Sequence, residues 1–531
     1  MLIDLRTLDD QKPISANVLI IGAGPAGITL ALELEKSGKS VALLESGGFE
    51  MDAATQDFYN GKLLGDQKSG VLYTRLRYLG GSSNHWGGHC LPLEPIDVEQ
   101  KDFIPDSGWP FGVETLESYY KRAQDYTDTG AYDYGVDKAY ASKFGSLMPI
   151  DPEKFPTVKM RQSKPTRFGT KYQSRLEQSK SITLYTWANV TDIVPNADGS
   201  RIDAVKIQTK TGKSFTATAD VVVLATGGIE NARVMLNARH LSDSGLANPY
   251  GIVGAYFMDH PSTGLGFLHP AKPLDVGLYT GAVPTPDGVP SHYTMRPSDK
   301  LIRENGLVNA TLWLTPLSAD EATRKREDRA KRAMEALRNM RHHPGQMFHA
   351  QDDGSDACNA LEGVDALAMN IVRKHLSSNR MTTDRLLIRA EAEQMPDTTN
   401  RVKLIADKDA LGLNRISLNW EPSKSTIEAL RKVALLFGTE CARTGIGRFE
   451  LERNFEAPYA NTSTAWHHMG TTRMGNIPTK SVVDPDLKVH GINNMYVAGS
   501  SVFPTSGRSN PTLTIVALSI RLADRLQKMG V

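Results

Sequence analysis

The side chains in this 531-residue chain best suited to chemistry are two adjacent histidines, His467 and His468, and an asparagine further on, Asn510. An imidazole and a side-chain amide brought together could take a proton and hold an oxygen in place. Taken alone, a histidine here more often serves packing than catalysis. Metal binding is not expected, because adjacent residues rarely converge on one ion and no carboxylate or cysteine lies at ligand spacing. A second group stands near the N-terminus, where Gly22, Gly24 and Gly27 form a G-x-G-x-x-G pattern, with Ala26 inside it and Glu45 beyond. Such glycines let a backbone turn tightly beside a pyrophosphate and let a helix pack closely on a strand. Glu45 can accept hydrogen bonds from ribose hydroxyls. The pattern does not separate FAD from NAD.

These groups need elements to hold them. Asn17–Ile21 is apolar, as a strand buried on both faces is. Ile28–Ser37 has helical spacing with Gly38 at its end, and Val41–Leu44 is a second buried strand, which makes a βαβ unit. Val221–Leu224 predicts another strand, followed by Ala225-Thr226-Gly227 and a helix over Ile229–Leu236. Met495–Val497 predicts a short strand before Gly499 and Ser500, and a helix runs from Leu513 to about Lys528. Both chain ends thus belong to one α/β layer, with a second domain inserted between them. Short runs such as Arg401–Ile405 and Arg415–Trp420 are assigned to that second domain. Thr323–His343 holds eight Lys or Arg, with Ala330, Ala333, Met334, Leu337 and Arg341 at helical spacing. It reads as a solvated amphipathic helix or as a docking surface for an electron acceptor, a subunit or anionic lipid.

Composition narrows the classes. The 61 basic and 60 acidic residues leave a net charge of +1, which argues against a nucleic-acid partner. Three scattered cysteines make no disulfide framework and no iron–sulfur spacing. The N-terminus has no apolar signal core, and no run is long enough to span a membrane. A cytoplasmic protein is expected.

The segments GAGPAG, LGGSSNHWGG, ATGGIENAR, HHMGTTRMG and VVDPDLKVHGINNMYVAGSSVFPTSGRSNPTLT, in this order, resemble the glucose–methanol–choline (GMC) oxidoreductases. The resemblance spans nearly the whole chain outside about 270–455. It implies an α/β fold: a split Rossmann-like FAD-binding domain with an inserted α+β substrate domain built on an antiparallel sheet. We place the first at 1–105, 175–265 and 455–531, and the second at 106–174 and 266–454. The pattern H-x-x-G-T implies His467 as the catalytic histidine, and Asn510 as its partner. FAD contacts are implied at Gly22, Gly24, Ala26, Gly27, Glu45, Gly81, Ser82, Asn84, His85, Val190, Ala225, Thr226, Gly227, Gly499, Ser500, Asn510, Pro511 and Thr512. His85 stands where some family members bond the flavin covalently. Ala255, in VGAYFMDHP, replaces an arginine common in relatives, and Arg508 could touch substrate or lie on the surface.

The implied reaction is oxidation of a CH–OH group to a carbonyl by hydride transfer to flavin N5. His467 takes the hydroxyl proton and Asn510 holds the oxygen. Reoxidation would be by dioxygen, a quinone or a redox protein. The motifs look most like the carbohydrate-oxidising branch, of pyranose oxidase and glycoside 3-dehydrogenase type, which implies a sugar, glycoside or polyol as substrate. A GMC-like lyase and a flavin-containing protein without turnover are the alternatives.

Overall fold

The computed structural model describes residues 1–64, 71–164, 166–317, 382–453 and 463–531. The basic stretch 323–343 lies outside the described residues.

The strand Ile14–Ile21 has an apolar end, Val18–Ile21, that is buried throughout. Such a strand needs cover on both faces and neighbours on both edges. It pairs in parallel with Val41–Leu44 on one side and with Ser214–Leu224 on the other. The layer continues in parallel through Ile182–Thr186 to Leu2–Asp4. On its other side Ser214–Leu224 pairs in parallel with Met495–Val497 and antiparallel with Ile202–Gln208, which pairs with Asn189–Pro195. Both chain ends meet in this layer, and the fold is mixed α/β, as expected.

The helix Pro25–Leu34 covers the layer and is buried along nearly its whole length. The C-terminal helix, Pro511–Lys528, packs on it and on Glu114–Thr127. This helix starts two residues before the apolar periodicity does, because Pro511 occupies its first turn, where a missing N–H costs nothing.

The second sheet is antiparallel throughout. Its order is Gly447–Leu451, Pro261–Pro270, Leu386–Ala392, Ala310–Pro316, Ser291–Met295, Thr157–Gln162 and His89–Cys90, with Ser463–Thr464 also on Pro261–Pro270. The helix Lys424–Thr444 packs on it, with Phe437 set edge-on against Phe155 and Phe449. Two apolar cores result, one around each sheet.

Some elements lie apart from their expected partners. Arg401–Lys408 and Asn414–Asn419 pair with each other, and the latter pairs in parallel with Gly61–Leu64. Their apolar residues Val402, Ile416 and Leu418 belong to the first core. The helix Glu114–Thr127 also packs there, whereas Thr157–Gln162 joins the antiparallel sheet. Alternating apolar residues give these segments one buried face; which core receives it depends on long-range packing.

The chain also buries ion pairs. Lys101 Nζ bonds both carboxylate oxygens of Glu393, at 2.8 and 2.9 Å, with both side chains essentially sealed from water. Such a pair costs desolvation, and removing one partner strands the other charge. Lys101→Met should therefore destabilise the fold by roughly 3–5 kcal/mol. Adding Glu393→Leu should recover most of that loss. Thermal melting of the single and double variants checks both.

Candidate active site

The turn after Ile14–Ile21 is shaped by close approach. Gly22 has φ +105°, and a Cβ there would stand 2.6 Å from the Ala225 carbonyl oxygen. A Cβ on Gly27 would stand 1.9 Å from the Gly22 carbonyl oxygen, so Gly27 holds helix against strand. Gly27 supports the turn and is absent from the wall of the cavity beside it. Gly24 opens onto free space, with no atom within 4 Å of a Cβ built on it. The helix that follows has no side-chain cap, so its first N–H groups are left for an anion.

That turn lines a cavity of about 460 Å³. Gly22, Gly24, Ala26 and Glu45 lie in its wall, with Val190, Ala225, Thr226 and Gly227. Glu45 accepts N–H bonds from Ala23 at 3.1 Å and Gly47 at 2.9 Å. Burial raises its carboxyl above the usual range, against those two bonds. The Thr226 hydroxyl and N–H both bond Asn231 Oδ1 at 2.7 Å. Asn231 in turn donates to the Ala498 carbonyl and to Ser501 Oγ, tying this turn to the Gly499 turn.

The loop over the cavity contributes Gly81, Ser82 and His85. Asn84 does not join them. Its amide donates to the carbonyls of Leu79 and Gly81 at 2.9 and 3.0 Å, which fastens the loop from behind. Ser83 lines the wall instead. The His85 ring meets Trp466 edge-on at 5.7 Å.

Gly499, Ser500, Asn510, Pro511, Thr512 and His467 complete the wall. Asn510 stands at the N-cap position of the C-terminal helix, but its side chain makes no capping bond there. Asn510 Nδ2 is 3.2 Å from His467 Nε2. The other ring nitrogen of His467, Nδ1, is 2.9 Å from Nδ1 of His260. Burial, with His260, His468 and His89 nearby, lowers His467 well below the usual imidazole range. The neutral ring is thus the resting form. His468 also lies in the wall, its ring 5.7 Å from Phe257, and burial pushes it down to about 3; the ring beside Asn510 is that of His467.

Two sequence models match the chain. One, described as GMC oxidoreductase, matches residues 396–519; the other, described as FAD dependent oxidoreductase, matches residues 17–345. The chain is an FAD-dependent oxidoreductase of the GMC family. It is 25% identical to a 2-methyl-1,2-propanediol dehydrogenase of Mycolicibacterium austroafricanum over 96% of this chain and 95% of that protein. It is 24% identical to a fructose dehydrogenase large subunit of Gluconobacter japonicus over 97% and 98%. A C-glycoside 3-oxidase of Microbacterium trichothecenolyticum is 48% identical over 22% of each chain. The fold is shared with pyridoxine 4-oxidase from Mesorbium loti, at TM-score 0.57 and 14% identity over 96% of this chain and 99% of that one.

The residues present fit FAD. The open backbone at Gly24 and the uncapped helix suit a pyrophosphate, and the buried carboxylate of Glu45 suits ribose hydroxyls. Further wall residues of this GMC oxidoreductase carry no spacing that marks them. Arg75 and Arg77 both pair with Glu230, at 3.3 and 2.9 Å, and Glu230 also pairs with Arg233. Against the upward push of burial, Arg233, Arg77 and Arg75 hold the Glu230 carboxyl down at about 2. His260 is equally unmarked, although it stands in the segment VGAYFMDHP, where Ala255 is buried and uncharged.

Arg508 takes neither of its expected places. It is 2% exposed and absent from the cavity wall. It bonds both carboxylate oxygens of Glu94, at 2.9 and 2.8 Å, and Thr311 Oγ1 at 3.2 Å. Two residues before Asn510, it anchors that segment to the antiparallel sheet. Among the described residues no cluster of His, Cys, Asp or Glu could hold a metal, and no helix is long and apolar enough to cross a membrane.

Gly24 offers a clean test of the cofactor site, since its Cβ position is open. Gly24→Val should leave the circular dichroism spectrum unchanged but fill the space beside the helix N-terminus. The variant should purify colourless, while the wild type purifies yellow; absorbance in the visible region reads the difference.

Proposed function

We propose that this enzyme oxidises a CH–OH group of a sugar, glycoside or polyol to a carbonyl, with His467 as general base and Asn510 positioning the alcohol oxygen. The observation that carries the reading is the convergence of His467 Nε2 and Asn510 Nδ2, 3.2 Å apart, in the wall of the cavity that also holds the dinucleotide turn. Gly22, Gly24, Glu45, Gly81, Ser82, Val190, Thr226, Gly499 and Thr512 would hold FAD there. Bound FAD supplies a two-electron acceptor for the substrate carbon. His467, kept neutral by burial, has a lone pair on Nε2 that takes the hydroxyl proton once the Asn510 amide turns to the substrate oxygen. The Asn510 amide donates to the same oxygen and limits the poses it can adopt.

The substrate class is supported by the sequence motifs and by relatives whose names include fructose dehydrogenase and C-glycoside 3-oxidase. Anaerobic bleaching of the bound flavin by a panel of D-glucose, D-fructose, methyl glucoside, glycerol, methanol and choline tests it. Reduction by methanol or choline, with none by any carbohydrate or polyol, sinks the substrate assignment. Oxygen uptake against dye reduction then distinguishes dioxygen from a quinone or redox protein as acceptor. The same reading places the protein in the cytoplasm, in keeping with two buried free thiols, Cys90 and Cys441; cell fractionation tests this.

A covalent tie between His85 and the flavin belongs to this reading too, supported by the position of His85 in the cavity wall. After acid precipitation the colour should stay with the pellet, and His85→Ala should release it. Colour in the supernatant of the wild type rules the bond out.

His467→Ala should slow anaerobic flavin reduction by about 10²–10⁴ while FAD stays bound. His468→Ala should cost far less, because Asn510 meets His467 and not His468; the reverse order would assign the base to the wrong histidine. The pH dependence has a definite sign. A base whose folded pKa is depressed keeps its lone pair as pH falls through the usual imidazole range. The rate of flavin reduction should therefore stay flat across that range and fall only at more acidic pH, as stopped-flow traces across pH will check.

A further inference from the structure

We propose that His260 is a positioning residue that sets the tautomer and ring orientation of His467. The inference rests on His467 being the base. It is carried by the chain of contacts through the two rings.

An amide nitrogen only donates, so Asn510 Nδ2 at 3.2 Å makes His467 Nε2 an acceptor. In a neutral imidazole the proton is then on Nδ1. That nitrogen faces Nδ1 of His260 at 2.9 Å, so His260 Nδ1 must be the acceptor. The proton of His260 is left on its Nε2, which lies buried against the backbone of Ser506 and Gly507 without a well-formed hydrogen bond. Burial pushes His260 down to about 4, in keeping with a neutral ring that can accept. The ring planes are nearly perpendicular, at 85° with centroids 5.0 Å apart, an arrangement compatible with a bond between the two in-plane Nδ1 atoms.

The residue before His260 does a different task. Asp259 accepts the main-chain N–H of His467 at 2.8 Å and of His260 at 2.7 Å, and those of Ala465 and Trp466 also face it. Burial pushes this carboxyl up to about 7, against those four donors. Trp466 has φ +62°, a conformation a bulky side chain rarely adopts, and these bonds help to hold it. Asp259 thus grips the main chain of the base and His260 grips its ring. The other titratable groups near His467 are His468 and His89, and Arg75 and His85 act on His468. His260 is the one bonded to Nδ1.

When His467 takes the hydroxyl proton on Nε2, its Nδ1–H keeps an acceptor in His260. The cation formed is stabilised without a second proton moving. Without His260 the Nδ1–H of His467 would lose its acceptor and only the Asn510 amide would favour this tautomer; a wrong tautomer removes the base from use.

Two-bond ¹H–¹⁵N correlation spectra of histidine-labelled holoenzyme read the tautomer directly, with His467→Gln assigning the signal. The expected state is Nδ1–H, and a proton on Nε2 in the wild type overturns the proposal. His260→Phe keeps the ring shape without the acceptor. It should shift His467 away from the Nδ1–H tautomer and slow anaerobic flavin reduction about 10–100-fold, the range for losing a partner behind a functional histidine. FAD content should not change. His260→Asn restores an acceptor near the same place and should recover most of the rate and the tautomer. Should His260→Phe misfold, the wild-type and His260→Asn spectra still decide. The reductant is whichever member of the hydroxyl panel bleaches the wild type fastest. A His260→Phe variant as fast as wild type, or an Asn variant as slow as Phe, overturns the proposal. If His467→Ala itself reduces at the wild-type rate, the assignment of the base has failed, which is a separate result.

Discussion

The imidazole of His467 is half-buried in the cavity wall with a hydrogen-bond partner at each nitrogen, and the fold is arranged so that both partners arrive. Asn510 comes from the start of the C-terminal helix, which packs on the parallel layer. His260 comes from the residue before Pro261–Pro270, a strand of the antiparallel sheet. The ring can be held at both ends only if the two layers dock at one distance and angle. A shift of an ångström between them would break one bond or the other, and each buried group left unpaired costs about 1–3 kcal/mol.

Buried charge is distributed in the way such a docking requires. Glu230 collects Arg75, Arg77 and Arg233 on the side of the parallel layer, and Arg233 reaches on to Asp409. Arg508, paired with Glu94, reaches Thr311 of the antiparallel sheet, and Lys101 pairs with Glu393 at the end of Leu386–Ala392. Replacing such pairs by apolar groups is often neutral or stabilising, so their net contribution to stability is small. Their geometry is more restrictive than that of an apolar contact, because a misplaced charge is left without a partner. They act here on register: Arg508 sits two residues before Asn510 and holds that backbone against Thr311.

Local motifs were legible where a few neighbouring residues make the geometry. The strand–helix–strand unit around Gly22 follows from contacts close in the chain, such as Gly27 on Gly22 and Val18 beside Val41. Asn510 and His467 were readable through the family pattern, since spacing alone left a structural histidine the ordinary reading. Asn84 and Gly27 were assigned to the cofactor because they stand inside motifs, yet one ties its loop from behind and the other packs a helix. The direction of a side chain on an irregular loop depends on what the loop rests on. His260 gave no signal because 207 residues separate it from the ring it touches.

By itself, then, the sequence determined the βαβ unit through short-range sterics, and through its family motifs the cofactor class and two of the groups that meet at the cavity. Tertiary structure decided which core received Arg401–Lys408 and Asn414–Asn419, where Arg508 points, and what lies behind His467. Those outcomes are settled by docking two sheets. Docking is governed by burial and by pairing between distant residues, and neither leaves a periodicity or a spacing along the chain.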